Sequence, residues 1–194
     1  MPAMTTRFLA AVLFALAAGK LYGAPIALLQ NGALPSGDPT ALVAAFVDAD
    51  ANGLQTSSEY WPLVRRFAVW EDGPGWDTVT IVTAATVHAA QLRGRRATVR
   101  VQYAVFGTLH DDGDYNPVLK SARNRMQNIT YRLIKQQGGW KIVAPQDGPR
   151  VVITQLLDDR YVEYCRQRDC ATNRVIQALR AERDRHPFAV VMAR

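Results

Sequence analysis

The chain is poor in the residues that most often carry chemistry. Its 194 residues include only two cysteines and three histidines. His88, His110 and His186 are scattered, so no zinc-ligand spacing is present. No G-x-S-x-G and no glycine-rich phosphate loop occurs, which removes the sequence signatures of serine hydrolases and of nucleotide binding. The apolar run Phe8–Ala18 has 11 residues, short of the ~20 that a membrane-spanning helix needs. Internal repeats and low-complexity segments are absent, and no acidic residue precedes Asp38.

What is present reads as one exported domain. With 48% hydrophobic and 21% charged residues the composition is that of an ordinary globular chain. Arg7, the apolar run and the small residues up to Gly23 form a secretory signal pattern over residues 1–23. Residues 24–37 then form a lead-in containing Gly and Pro. No cysteine follows the apolar run, so it offers no site for a lipid-modified N-terminus. The expected location is periplasmic or secreted. Loss of the leader removes Arg7 and Lys20 and no acid, lowering the formal net charge from +6 to +4. In an oxidising compartment Cys165 and Cys170 are expected to pair. On a continuous helix, positions five apart are too distant for that bond. The pairing therefore predicts a helix–helix corner at residues 166–169, with Asp169 as the next N-cap.

Periodicity changes twice along the mature chain. Asp38-Pro39 gives an N-cap and a first-turn proline, and Leu42, Val43, Phe46 and Val47 repeat at helical spacing up to Gly53. A second helix is predicted from Ser57-Ser58 to Phe67, with Pro62 near its start. The period then becomes two. Val79, Ile81, Thr83, Ala85 and Val87 alternate, Gly94 marks a turn, and Val99, Val101, Tyr103 and Val105 alternate on the return. A polar loop is predicted from His110 to Asn116. Ile129, Tyr131 and Leu133 form a further strand, and Gly138-Gly139 closes a hairpin into Trp140, Ile142 and Ala144. Helical spacing returns over 152–167 and 171–185, and His186-Pro187 leaves an apolar tail, Phe188–Met192.

This order predicts an α+β fold, with N-terminal helices packed on a curved antiparallel sheet. Three segments carry a family resemblance: the Pro39–Gly53 helix, the Trp76–Leu109 hairpin, and Asn128–Leu133 running through Gly-Gly-Trp-Lys-Ile-Val at 138–143. In these the chain resembles the nuclear transport factor 2-like superfamily over residues 38–146. The resemblance implies a cone-like sheet, with residues 147–194 as a C-terminal helical extension packed on the same domain. It does not select a function, because that fold hosts isomerases, dehydratases, carriers and assembly modules alike. A homodimer through the open sheet face is a further expectation of the resemblance.

Candidate sites follow from residue type and spacing. Asp48, Asp50, Asn52, Gly53 and Glu59 satisfy D-x-D-x-N-G-x5-E, the calcium loop of EF-hands, with Leu54 supplying a carbonyl and Thr56 a hydroxyl. Calcium is thus one alternative. The other is structural, in which Asn52-Gly53 ends one helix and Ser57 or Ser58 caps the next. Trp61, His88, Tyr103, Tyr131 and Trp140 could line an apolar interior, although His88 alternates out of phase with Val79, Ile81 and Val87. No carboxylate is placed by sequence beside His88, and no catalytic residue is assigned. Basic residues fall into three groups, at Arg93/Arg95/Arg96, at Lys120/Arg123/Arg125 and along the last helix. They read as solvated faces, two of which could meet anionic envelope surfaces. Nucleic acid is not an expected partner of an exported chain. The reading at this level is a non-enzymatic module for a small apolar ligand or a protein partner, with no membrane span in the mature chain. An isomerase- or dehydratase-type enzyme with a pocket inside the cone is the alternative.

Overall fold

The computed structural model describes residues 32–71, 73, 75–111, 117–157, 174–183, 185 and 188–193. The predicted leader, Cys165, Cys170 and the predicted corner between them lie outside the described residues. Helix α1 spans Pro39–Ala51, and the Asp38 side chain caps it by accepting from Thr40 N–H at 2.8 Å. Its predicted core residues, Leu42, Val43, Phe46 and Val47, are buried. Asn52 ends the helix and Gly53 follows at φ +89°. A 3-10 turn, Ser58–Tyr60, leads into α2, Trp61–Phe67, with Pro62 in its first turn.

The sheet is built from β1 (Thr78–Val87), β2 (Gln91–Arg93), β3 (Arg96–Asp111), β4 (Pro117–Gln136), β5 (Gly139–Ala144), β6 (Arg150–Val151) and β7 (Val190–Met192). Its order is β5-β4-β3-β1-β6, with β2 on β3 and β7 on β1. The hairpins are antiparallel, but β6 and β7 both join β1 in parallel. The sheet is therefore a strongly curled mixed sheet, a half-barrel, and not the purely antiparallel one expected from sequence. The single strand period expected over 79–87 is also interrupted. Register shifts at Ile81/Val82 and Val82/Ala84 place Val82 on the buried face, while Thr83 is half-buried and donates to the Ala104 carbonyl.

Two apolar clusters form the core. The larger packs α1 and α2 against Val99, Val101, Tyr103, Tyr131, Leu133, Trp140 and Ile142. Phe46 is its hub, meeting Phe67, Trp70 and Tyr131 edge-on at 5.7–5.8 Å. The smaller joins Val79, Ile81 and Leu109 to Val151, Ile153, Leu156, Leu157, Ile176 and Leu179. The last five enter from the short α3 (Ile153–Gln155) and its continuation, and from α4 (Arg174–Arg183). Residues after 147 thus contribute two short strands as well as helix. Among the described residues no helix is long and apolar enough to cross a membrane.

The segment entering the domain is fixed by one close approach. Trp140 N–H donates to Ser36 O at 2.8 Å. A Cβ on Gly139, which sits at φ +128°, would collide with Ser36 Cβ. Gly94 is also left-handed, at φ +60°, but has nothing within 4 Å. Gly139→Ala is accordingly expected to cost about 2–3 kcal/mol in urea unfolding, and Gly94→Ala about 1 kcal/mol. Equal costs would show that Ser36 yields freely.

Candidate functional site

A polar seam borders the larger cluster between β6 and the end of α1. Arg150 on β6 lies beside Thr80 of β1 and is 2% exposed. Its guanidinium stands over the Tyr103 ring at 5.0 Å, and its Nη2 donates to Asp147 Oδ2 at 2.6 Å. Nη1 donates to Gly148 O at 3.1 Å, whereas Nε has no partner. The Arg150 backbone N–H donates to Asp50 Oδ2 at 3.0 Å, and Val152 N–H donates to Ala51 O. The last turn of α1 is thereby tied to β6. Tyr103 and Tyr131 face each other across β3 and β4, hydroxyl to hydroxyl at 3.0 Å.

Burial sets the ionisation here. It pushes Asp50 up to about 7, against the opposing pull of the Arg150 N–H, Gln55 and the guanidinium. Tyr131 is pushed to about 12 by burial, and Tyr103 is raised for the same reason with Tyr131 adding to it. Both phenols are therefore protonated at any physiological pH. Asp50 Oδ1 and Gln55 Oε1 both lack a donor. Because Gln55 reaches Asp50, one proton on the carboxyl, or an end-for-end turn of the amide, would satisfy the carboxylate oxygen.

The residues of the calcium pattern are distributed by this packing. Asp48 and Asp50 lie in the last turns of α1, about 200° apart around its axis. Asp50 points inward, and Asp48 is half-buried, which raises its pKa. Asn52 spends its amide on Asp48 O at 2.7 Å, and Thr56 Oγ1 donates to Gly53 O at 2.8 Å. Leu54 is a core residue, and Glu59 is exposed in the 3-10 turn. The structure does not gather these side chains around one point. Among the described residues no group of three or more His, Cys, Asp or Glu could hold a metal ion.

The five aromatic and imidazole candidates are likewise separated. Tyr103, Tyr131 and Trp140 are buried in the larger cluster. His88 lies beside Arg100 on the opposite, convex face, with its Nδ1 3.4 Å from Arg100 Nη2. Trp61 alone lines a cavity of about 510 Å³, shared with Gln55, Ser57, Ser58, Trp76 and Val79. The cavity wall is held in place by the Glu71 carbonyl, which accepts from Trp61 Nε1 at 3.2 Å and from Arg65. Gly73 lies flat on the Trp61 indole, where a Cβ would approach to 2.9 Å.

Sequence reasoning passed over Arg150, Asp147, Gln55 and Trp76. Arg150 had a signal, as the lone cation leading into Val151-Val152-Ile153. A charge inside an apolar run is solvated or paired, and here it is paired.

The convex face of the sheet carries a different chemistry. Thr86, Gln102 and Asn128 form one row across β1, β3 and β4, and Ala84, Ala104 and Met126 form the next. Gln102 Nε2 donates to Asn128 Oδ1 at 3.3 Å, and Met126 is 50% exposed. Against this geometry, the family model of the lipoprotein LpqB N-terminal domain matches residues 32–156. No curated protein and no solved structure matches the chain.

Proposed function

The chain belongs to the family of the lipoprotein LpqB N-terminal domain, and from that premise we propose that it is a non-enzymatic interaction module of the cell envelope. A lipoprotein family implies an envelope location, which agrees with the exported leader read at residues 1–23. The helices inside a curled hairpin sheet also support the cone-like architecture of the nuclear transport factor 2-like superfamily.

One observation carries the reading: Thr86, Gln102, Asn128, Ala84, Ala104 and Met126, side by side on β1, β3 and β4, belong to neither apolar cluster and are half-buried or exposed. They are small, amide and hydroxyl side chains around an exposed methionine, a surface that accepts a protein partner at low desolvation cost. A photo-crosslinking residue at Gln102 is expected to give a heavier adduct in intact cells, and Ala104→Arg is expected to abolish it. The same probe at Arg180, on exposed α4, should give none. An adduct of twice the chain's mass would identify a second copy as the partner. Absence of any adduct from Gln102, or equal adducts from both positions, would overturn the assignment.

A second reading rests on the Trp61–Trp76 cavity. At about 510 Å³ it has the volume of a small-molecule site, and the wall residues named above carry no charge. A neutral, partly apolar ligand fits that wall, and quenching of tryptophan fluorescence lost in Trp61→Ala would report it.

A further inference from the structure

Residues 88–110 and 117–144 contain ten cations, Arg93, Arg95, Arg96, Arg100, Lys120, Arg123, Arg125, Arg132, Lys135 and Lys141, and no carboxylate. Strand pairing concentrates several of them at one end of the sheet. Arg93 pairs with Arg96 across the β2–β3 turn, and Thr98, two residues further along β3, pairs with Arg132. Arg95 donates from Nε and Nη2 to Lys135 O at 3.2 and 3.0 Å, pinning this turn to the end of β4. Arg93, Arg96, Arg132 and Lys135 are all exposed, and none meets a carboxylate among the described residues. Leu92, at the same tip, is 62% exposed, the highest value among the described large apolar side chains.

A second, independent feature gives this end a direction. The chain enters the domain through Ser36, which lies against Gly139 in the β4–β5 turn. That turn follows Lys135 directly, so the N-terminal segment joins the fold beside the basic tip.

We propose that the β2–β3 tip docks on the surface of a bilayer rich in anionic phospholipid, with Arg93, Arg96, Arg132 and Lys135 over the headgroup phosphates and Leu92 dipping between them. Clustered cations next to an apolar side chain match the interface, where phosphate lies outside and hydrocarbon begins within a few ångströms. The missing carboxylates remove the repulsion that would oppose approach to a negative surface. With the tip down, the strands rise from the membrane and the convex face is presented sideways to a partner. The docking rests on the envelope placement proposed above, but not on occupancy of that face.

The test uses the chain from Ala24, which keeps every described residue and removes the apolar run that would itself enter lipid. It is sedimented with vesicles of neutral phosphatidylcholine, or of phosphatidylcholine with 30% phosphatidylglycerol. Binding is expected only to the mixed vesicles, and raising the salt to 0.5 M should weaken it at least tenfold. Arg93→Glu with Arg96→Glu should weaken binding at least tenfold at low salt, with unchanged circular dichroism and melting. Lys120→Glu with Arg125→Glu, which makes the same change in net charge on the far arm, should shift it no more than twofold. Leu92→Ser should lower affinity while leaving the salt dependence intact. Equal losses in the two double variants would reduce the effect to net charge and overturn the docking site. Binding to neutral vesicles, or to a soluble acidic polysaccharide and not to vesicles, would also overturn it. Because only purified protein and lipid are present, this result is independent of the crosslinking outcome.

Discussion

Arg150→Met is expected to lower the folding free energy by about 3–5 kcal/mol at pH 8, measured by urea unfolding. The side chain is almost wholly buried, so methionine can fill much of its volume. What methionine cannot replace is the charge. Asp147 loses its 2.6 Å partner, Tyr103 loses the cation over its ring, and Asp50 loses the positive group that opposes its desolvation. Breaking one side of a buried ionic arrangement costs more than the arrangement itself contributes, because the Asp50 carboxylate stays in a low-dielectric site, whereas Asp147, 45% exposed, is rehydrated. The cost should therefore depend on Asp50. At pH 5 that carboxyl is mostly protonated, and the loss from Arg150→Met should shrink by at least 1 kcal/mol. The double variant Asp50→Asn with Arg150→Met should be more stable at pH 8 than the sum of the two single effects predicts. Strict additivity, or a loss below about 1 kcal/mol, would show that the guanidinium is not the counter-charge of the seam.

The helices and the inner strands of this domain were legible because their signals are local. Asp38-Pro39 with Leu42, Val43, Phe46 and Val47 specifies a capped amphipathic helix, and Val99 to Val105 alternates on a half-buried strand. Gly138-Gly139 marked the β4–β5 turn because both residues occupy positive φ. Elements without local signals were missed. The first half of β4 carries Lys120, Arg123, Asn124 and Arg125, has no alternation, and predicts no element ahead of the strand that begins at Ile129. It is a strand because the outer part of β3 pairs with it from Asp111 back to Val105. The two-residue β6 and three-residue β7 owe their identity to the free edge of β1, and sequence periodicity cannot register so few residues. The calcium pattern illustrates the converse. D-x-D-x-N-G suits an ion loop, and it equally suits a helix end with an Asn cap and a left-handed Gly; which one forms is decided by α1 packing on the sheet.

Asp50→Asn is expected to stabilise the protein at pH 8 and to remove a pH dependence that the native chain shows. In the unfolded chain the Asp50 carboxyl titrates near its ordinary value, about 4, whereas in the folded protein burial holds it at about 7. The folded state therefore binds one more proton than the unfolded state between those values. The stability contributed by this group is fully present below about pH 4 and is lost as the pH rises through about 7. A difference of about 3 pH units corresponds to a loss on the order of 4 kcal/mol across that window. Asparagine carries no charge to desolvate. Its Oδ1 can accept the Arg150 N–H now held at 3.0 Å, and its Nδ2 can donate to Gln55 Oε1, an acceptor without a donor in the native seam. Arg150 retains Asp147 as its partner. The difference between native and variant stability, measured by urea unfolding at pH 4.5, 6, 7 and 8, isolates Asp50 from Asp48, whose burial also raises its pKa. It should be small or unfavourable to the variant at pH 4.5 and favour it increasingly up to pH 8. A difference that does not change with pH would mean that Asp50 is ionised throughout and held by Arg150 alone. A variant less stable at every pH would mean that the carboxylate, and not its proton, joins α1 to β6.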